Sequence, residues 1–212
     1  MKLLKGKELY KKIKSLNLNF HDYLSYLNEE KYTCDWKGIS VQQESVYTYE
    51  VSQKYTSIKE HFLSTSDIPY DGVIINNFVT VIKLFINTFT TVDCCWIILR
   101  DNNRKRWVSN VEKTSSAANN MINFFIKENV NFDFRGAFYL NSSSLINILP
   151  YLICLPYYDN SGDINLLNED CKCIIRFTHH LSIDFIYIKA EGINDFLSKL
   201  KPLGNFKLVK YR

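Results

Sequence analysis

Glycine and proline are scarce in this chain, 7 and 4 of them among 212 residues, which excludes long flexible linkers between separate bodies. No secretory leader is expected either. The opening Met1-Lys2-Leu3-Leu4-Lys5-Gly6-Lys7-Glu8 lacks an apolar core, so the six cysteines (Cys34, Cys94, Cys95, Cys154, Cys171, Cys173) are expected to stay reduced, with the cytosol as compartment. Vicinal Cys94 and Cys95 fall on a predicted strand, point to opposite faces and cannot bridge each other. The longest apolar region, residues 73–99, is interrupted by Asn76, Asn77, Lys83, Asn87 and Asp93, which argues against a membrane span. No Gly-x-Ser-x-Gly, Walker loop, Gly-x-Gly-x-x-Gly or His-Glu-x-x-His occurs, and no cofactor is implied.

What is present is a large apolar fraction, 46%, with 15% aromatics, ample for a core and too apolar for a disordered chain. The 21 asparagines, beside many Lys, Ile, Tyr and Phe, match the codons of an A/T-rich genome. The net charge of +4 is uneven. Six lysines (Lys2, Lys5, Lys7, Lys11, Lys12, Lys14) against Glu8 put +5 in the first fourteen residues, leaving −1 for the remainder. A body so close to neutral lacks the basic footprint of a dedicated duplex binder.

The clearest pattern closes the chain, residues 171–211. Cys171, Cys173, Ile175 and Phe177 alternate with Lys172, Ile174, Arg176 and Thr178, as a half-buried strand requires. After a turn at His179-His180-Leu181, residues 182–189 are apolar on both sides and read as a central strand. Ile193, Phe196, Leu197, Leu200 and Leu203 recur at helical spacing until Pro202 and Gly204. Residues 206–211 alternate again. The crossover favours a last strand parallel to residues 182–189, hence a mixed, mostly antiparallel sheet.

Earlier, Glu8, Leu9, Ile13 and Leu16 suggest one helix, and Asn19 would cap a second over residues 20–28. Residues 36–51 read as two short strands, and Thr56 or Ser57 would cap a helix to Leu63. Asp71 caps a helix over 73–89, apolar on most sides and so deeply buried; residues 92–99 read as a strand, Asp101-Asn102-Asn103 as a turn, and 104–111 as the hairpin partner. A helix follows Thr114-Ser115-Ser116, then a strand over 132–140. Ser142 to Ser144 start a helix that Pro150 and Pro156 disrupt, and Tyr157-Tyr158-Asp159-Asn160-Ser161-Gly162-Asp163 reads as a loop. The expected fold is α+β, one domain over 1–212, with a weak boundary that would set off an N-terminal subdomain of residues 1–66.

Several residue groups carry chemistry. Cys171, Cys173, His179 and His180 could supply thiolates and imidazole to zinc, but Cys-x-Cys is not the spacing of paired structural sites, and no metal is expected. Ser64-Thr65-Ser66 resembles the central motif of ADP-ribosyltransferases. That family also needs an upstream Arg, and the first here is Arg100, so the triplet reads as a turn or cap. Asp184 stands inside an apolar strand, where a sheet edge or surface would satisfy it; His21-Asp22 reads as helix surface. Arg100, Arg104, Lys105, Arg106 and Trp107 cluster on the predicted hairpin and could grip an acidic protein surface or a nucleic-acid strand. The N-terminal lysines read as a solvated amphipathic helix or, more sharply, as a contact for an anionic membrane or RNA.

These features point to a non-catalytic binder of protein. The expectation is an immunity protein or antitoxin of a bacterium that occludes a cognate toxin. The partner surface would be Arg100, Arg104, Lys105, Arg106 and Trp107 with Tyr157, Tyr158, Asp159 and Asp163. The alternatives are a nucleic-acid-associated protein using the 100–107 hairpin, and an enzyme with an unrecognised site around Asp184, His179 and His180.

Overall fold

The computed structural model describes residues 1–15, 26–28, 33–35, 46–51, 72–90, 94–100, 106–107, 116–131, 133–159, 163–169, 173–177, 182–187, 193–200, 202 and 206–211. In chain order these form β1 (Lys2–Leu4), α1 (Gly6–Ser15), β2 (Tyr26–Asn28), β3 (Thr33–Asp35), β4 (Val46–Val51), α2 (Gly72–Phe89) and β5 (Cys95–Arg100). There follow α3 (Ser116–Lys127), β6 (Ala137–Asn141), α4 (Ser142–Asp159), β7 (Ile164–Asn168), β8 (Cys173–Phe177), β9 (Ser182–Tyr187), α5 (Ile193–Leu200) and β10 (Phe206–Tyr211). The fold class is α+β. Eight described strands make one sheet in the order β1-β6-β5-β7-β8-β9-β4-β10, and β2 pairs with β3 apart from it.

Period-two alternation divides the middle strands between two faces. Trp96 and Ile98 of β5, Phe138 and Leu140 of β6, Ile164 and Leu166 of β7, and Ile175 and Phe177 of β8 join one core with the buried sides of α2, α3 and α4. Their neighbours Ile97, Leu99, Ala137, Leu167 and Ile174 are also buried, on the second face. There α1 lies, with Leu9, Tyr10 and Ile13 buried.

Helix α2 is one-sided. Phe78, Val81, Ile82, Phe85 and Ile86 are buried while Asn76, Thr80, Lys83 and Asn87 are exposed, so the helix expected to be apolar on most sides keeps a polar stripe toward solvent. Helix α3 ends with Asn129 at φ 56° and a 2.8 Å bond from the Val130 N–H to the Phe125 carbonyl, the wide closing bond of a left-handed cap. In α5, Phe196 is buried edge-on to Phe85, with ring centroids 5.4 Å apart. This contact docks the closing unit onto α2.

The strand–turn–strand–helix–strand close of the chain is as its alternation implies, and β8 and β9 pair antiparallel. The final strand runs in the same direction as β9, but the two are not neighbours. Strand β4 lies between them, antiparallel to each, so every ladder in this part of the sheet is antiparallel. Residues 1–66 thus contribute β1 and β4 to the main sheet.

Several expectations need correction. Strand β5 pairs with β6 on one edge and β7 on the other; of its expected hairpin partner 104–111 only Arg106 and Trp107 are described, and Arg106 bridges Arg135 instead. Tyr26–Asn28 is a strand paired with Thr33–Asp35, not the end of a helix. Helix α4 passes through Pro150 and Pro156 to Asp159. Each proline costs about 3 kcal/mol in a helix interior. The six buried side chains of α4, Leu145, Ile148, Leu149, Leu152, Ile153 and Leu155, gain on the order of 10 kcal/mol, and burial wins. Asn141 caps this helix, its Oδ1 accepting the Ser144 N–H at 2.9 Å. Asp184 sits on β9 between β8 and β4, in the register of Arg176 and Thr48, and so on an interior strand and not at a sheet edge. The expected elements at 20–25, 39–41 and 56–69, the Asp71 cap and the His21-Asp22 pair lie outside the described residues.

Candidate functional site

Helix α1 sorts its residues by spacing. Leu9, Tyr10 and Ile13 are buried; Lys7, Lys11 and Lys14, at steps of four and three, are exposed along the opposite side. Lys2 and Lys5 are exposed at the strand before it, and Lys2 pairs with Glu8 at 2.5 Å. The result is a ridge of cations on the second face of the sheet.

Lys12 lies at the seam between the buried and exposed sides of α1. Its ammonium pairs with Oε1 of Glu169, just past β7, and stands 4.8 Å from the centre of the Tyr139 ring of β6. The Tyr139 hydroxyl donates to Oε2 of the same carboxylate at 2.8 Å. The Cys95 side chain of β5 acts on both Tyr139 and Glu169, and the Glu169 N–H donates to the Cys95 carbonyl at 2.8 Å. One helix and three strands therefore meet at four polar side chains. Lys12 holds the Glu169 carboxyl below its ordinary range, against the opposing effect of burial, with Tyr139 as a further donor. Burial, with bonds to Cys95 and Glu169, keeps Tyr139 protonated well beyond the ordinary tyrosine range. A carboxylate fixed ionised and a phenol fixed neutral are poorly matched to proton transfer near neutrality. They are well matched to anchoring. Burial of Leu9, Tyr10 and Ile13 supplies roughly 5 kcal/mol of attachment. The half-exposed ion pair adds about 1 kcal/mol or less and fixes the rotation of the helix.

The predicted partner surface divides differently. Arg100 is 1% exposed and Trp107 is 1% exposed. The Arg100 guanidinium donates through Nη1 to the Arg106 carbonyl. The Trp107 indole donates to the Gly136 carbonyl at 2.9 Å and packs on Phe138, with ring centroids 4.4 Å apart. Gly136 has φ +145°, and a Cβ there would meet the Leu4 carbonyl oxygen at 2.1 Å, so only glycine lets β1 approach this close. Residues 106–107 thus line the entry to β6 through an Arg106–Arg135 bridge, and do not form a projecting tip. Arg106 alone of the described group is exposed, paired with Asp133 at 3.0 Å. Arg104 and Lys105 lie outside the described residues. Tyr157, Tyr158 and Asp159 belong to the last turn of α4 and not to a loop. Asp163 precedes β7 and lies 3.6 Å from Arg176 of β8. Of these nine residues only Arg100, Arg106, Trp107 and Asp163 have described side chains, and among those four Arg106 is the exposed one.

A second buried cluster ties α4 to the sheet. Ser142 N–H and Oγ both donate to the Cys94 carbonyl at 3.1 Å, Trp96 Nε1 donates to Ser142 Oγ at 3.0 Å, and Asn168 Nδ2 approaches Cys94 Sγ at 2.6 Å. Among the described residues no three of His, Cys, Asp or Glu gather to hold a metal, and no helix is long and apolar enough to cross a membrane. Cys171, His179 and His180 lie outside the described residues. Sequence reasoning missed the Lys12–Glu169–Tyr139–Cys95 cluster, whose members come from four elements. The only local signal was Lys12, the lysine of α1 placed next to its apolar stripe.

No protein-family model, no curated protein and no solved structure matches this chain.

Proposed function

We propose that the chain is a non-catalytic protein-binding domain of the immunity-protein or antitoxin kind, which neutralises a bacterial toxin by covering its active site. The supporting observation is the ridge of Lys7, Lys11 and Lys14, exposed in line on a helix whose other side is buried and pinned by Lys12. Binding charge held in a fixed array costs less ordering entropy than binding it on a mobile tail. The complement of such a ridge is an acidic protein surface, and opposite fields would also steer encounter. The near-neutral remainder of the chain favours a protein over a nucleic acid, which would be met by a broader basic face.

Affinity capture from native lysate with the wild-type chain and with Lys7→Glu/Lys11→Glu/Lys14→Glu tests this. The wild type is expected to recover one protein in stoichiometric amount, toxic when expressed alone and harmless when co-expressed with this chain. The triple variant is expected to lose both capture and protection. No stoichiometric partner, or full protection by the triple variant, would overturn the reading. Nucleic acid bound with a steep salt dependence would replace it with the nucleic-acid one.

A further inference from the structure

The two ends of the main sheet are unlike. One ends in the three-residue β1, the other in the six-residue β10, and all six β10 residues pair on one side with β4. Among the described residues no strand pairs with the opposite edge of β10. In an antiparallel ladder alternate residues direct N–H and C=O to each side, so a terminal strand of this length presents a row of backbone donors and acceptors outward. We infer that this outer edge of β10 is an interaction site that takes an extended, acidic peptide segment of a partner by strand addition.

The charge pattern selects the occupant. Strand β10 reads Phe206-Lys207-Leu208-Val209-Lys210-Tyr211, with two lysines and no acid. On its inner edge Lys207 already stands in register with Glu50 of β4. A strand carrying carboxylates would repeat that pairing on the outer edge. A second copy of this chain fits worse. Full-length antiparallel pairing of two β10 strands sets Lys207 of each opposite Lys210 of the other, and like charges directly opposite are destabilising. Lysines on an edge strand turn away apolar strands and self-association. They leave an acidic strand as the complementary guest. This site is independent of the lysine ridge, which sits on α1 near β6 and β7, toward the other end of the sheet.

The test uses the full chain and two synthetic capped octapeptides, one alternating Glu and Val, the other alternating Lys and Val. The readouts are fluorescence anisotropy of labelled peptide and amide exchange of β10. The acidic peptide is expected to bind and to protect alternate β10 amides without altering those of β4, and the basic peptide to bind at least tenfold more weakly. Lys210→Glu, whose register partner on β4 is Tyr47, is expected to weaken the acidic peptide about fivefold with the circular dichroism unchanged. Lys7→Glu/Lys11→Glu/Lys14→Glu should leave the peptide affinity as it was. Equal binding of the two peptides, protection elsewhere than β10, or dimerisation through β10 in place of capture would overturn the inference. Should Lys210→Glu not fold, the peptide pair on the wild type decides alone.

Discussion

Two cationic segments look alike as text, and the fold treats them oppositely. Residues 2–14 carry six lysines and a tyrosine; residues 100–107 carry three arginines, a lysine and a tryptophan. In the first, Lys7, Lys11 and Lys14 stand in solvent while Leu9, Tyr10 and Ile13 go inside. In the second, Arg100 and Trp107 are among the most deeply buried large side chains, and only Arg106 is described at the surface. The apolar company of a cation decides this, more than the density of charge. Arg100 closes a strand of consecutive buried residues flanked by two further strands, and its long side chain reaches a backbone carbonyl instead of water. The lysines of α1 have an apolar stripe of their own helix to put inside instead.

The largest expected effect tests the buried member. Trp107→Ala removes an indole from the core and leaves the Gly136 carbonyl without its donor. A loss of about 4 kcal/mol is expected. Thermal unfolding should show a fall of roughly 10 °C, since each kcal/mol is worth about 2–4 °C at this chain length. A fall of only about a degree would mean that Trp107 is a surface residue after all.

An intermediate effect tests the anchor between the two faces of α1. Glu169→Gln keeps the shape and loses the charge facing Lys12, for a cost of about 1 kcal/mol at neutral pH. The folded carboxyl titrates below its ordinary 4.5. The stability it contributes is therefore present above about that pH and is lost as pH falls through the folded value. Urea titrations of wild type and variant should differ at pH 7 and differ less at a pH below that ordinary value. An equal gap at both pH values would show that packing, and not the ion pair, is what the substitution disturbs. The smallest effect concerns the ridge. Lys11→Ser should change stability by no more than about 0.5 kcal/mol in the same titration. A loss above about 1 kcal/mol would place Lys11 in a supporting contact and weaken its assignment to partner binding.

The legible parts of the chain were those whose signals are local. Alternation exposed β8 and β10, and helical spacing exposed α1, α2 and α5, because one buried face imposes a period on consecutive residues; β9 showed as a short run apolar on both sides. Strand β7 escaped because Asn165 and Asn168 interrupt an already short run, although both are buried in the finished sheet. Strand β1 is too short to show a period. The prolines of α4 were weighed as local breakers, when the outcome rested on six side chains meeting α2, α3 and the sheet. The insertion of β4 between β9 and β10 has no local signature at all, since a crossover constrains the direction of a strand and not its neighbour. The candidate site was the least legible. Lys12 and Glu169 are 157 positions apart, and nothing in either neighbourhood names the other.

That separation has a consequence during synthesis. A ribosome releases the lysines of α1 well before Glu169, and closing so long a loop is slow and entropically costly. Until β6 and β7 are in place, the first fourteen residues have neither the sheet that buries Leu9 and Ile13 nor the carboxylate that orients Lys12. A nascent chain, or a fragment cut before residue 169, would carry the same positive charges as a loose polycation. Vectorial translation thus makes the ordered lysine array a property that appears only after Glu169 has been made.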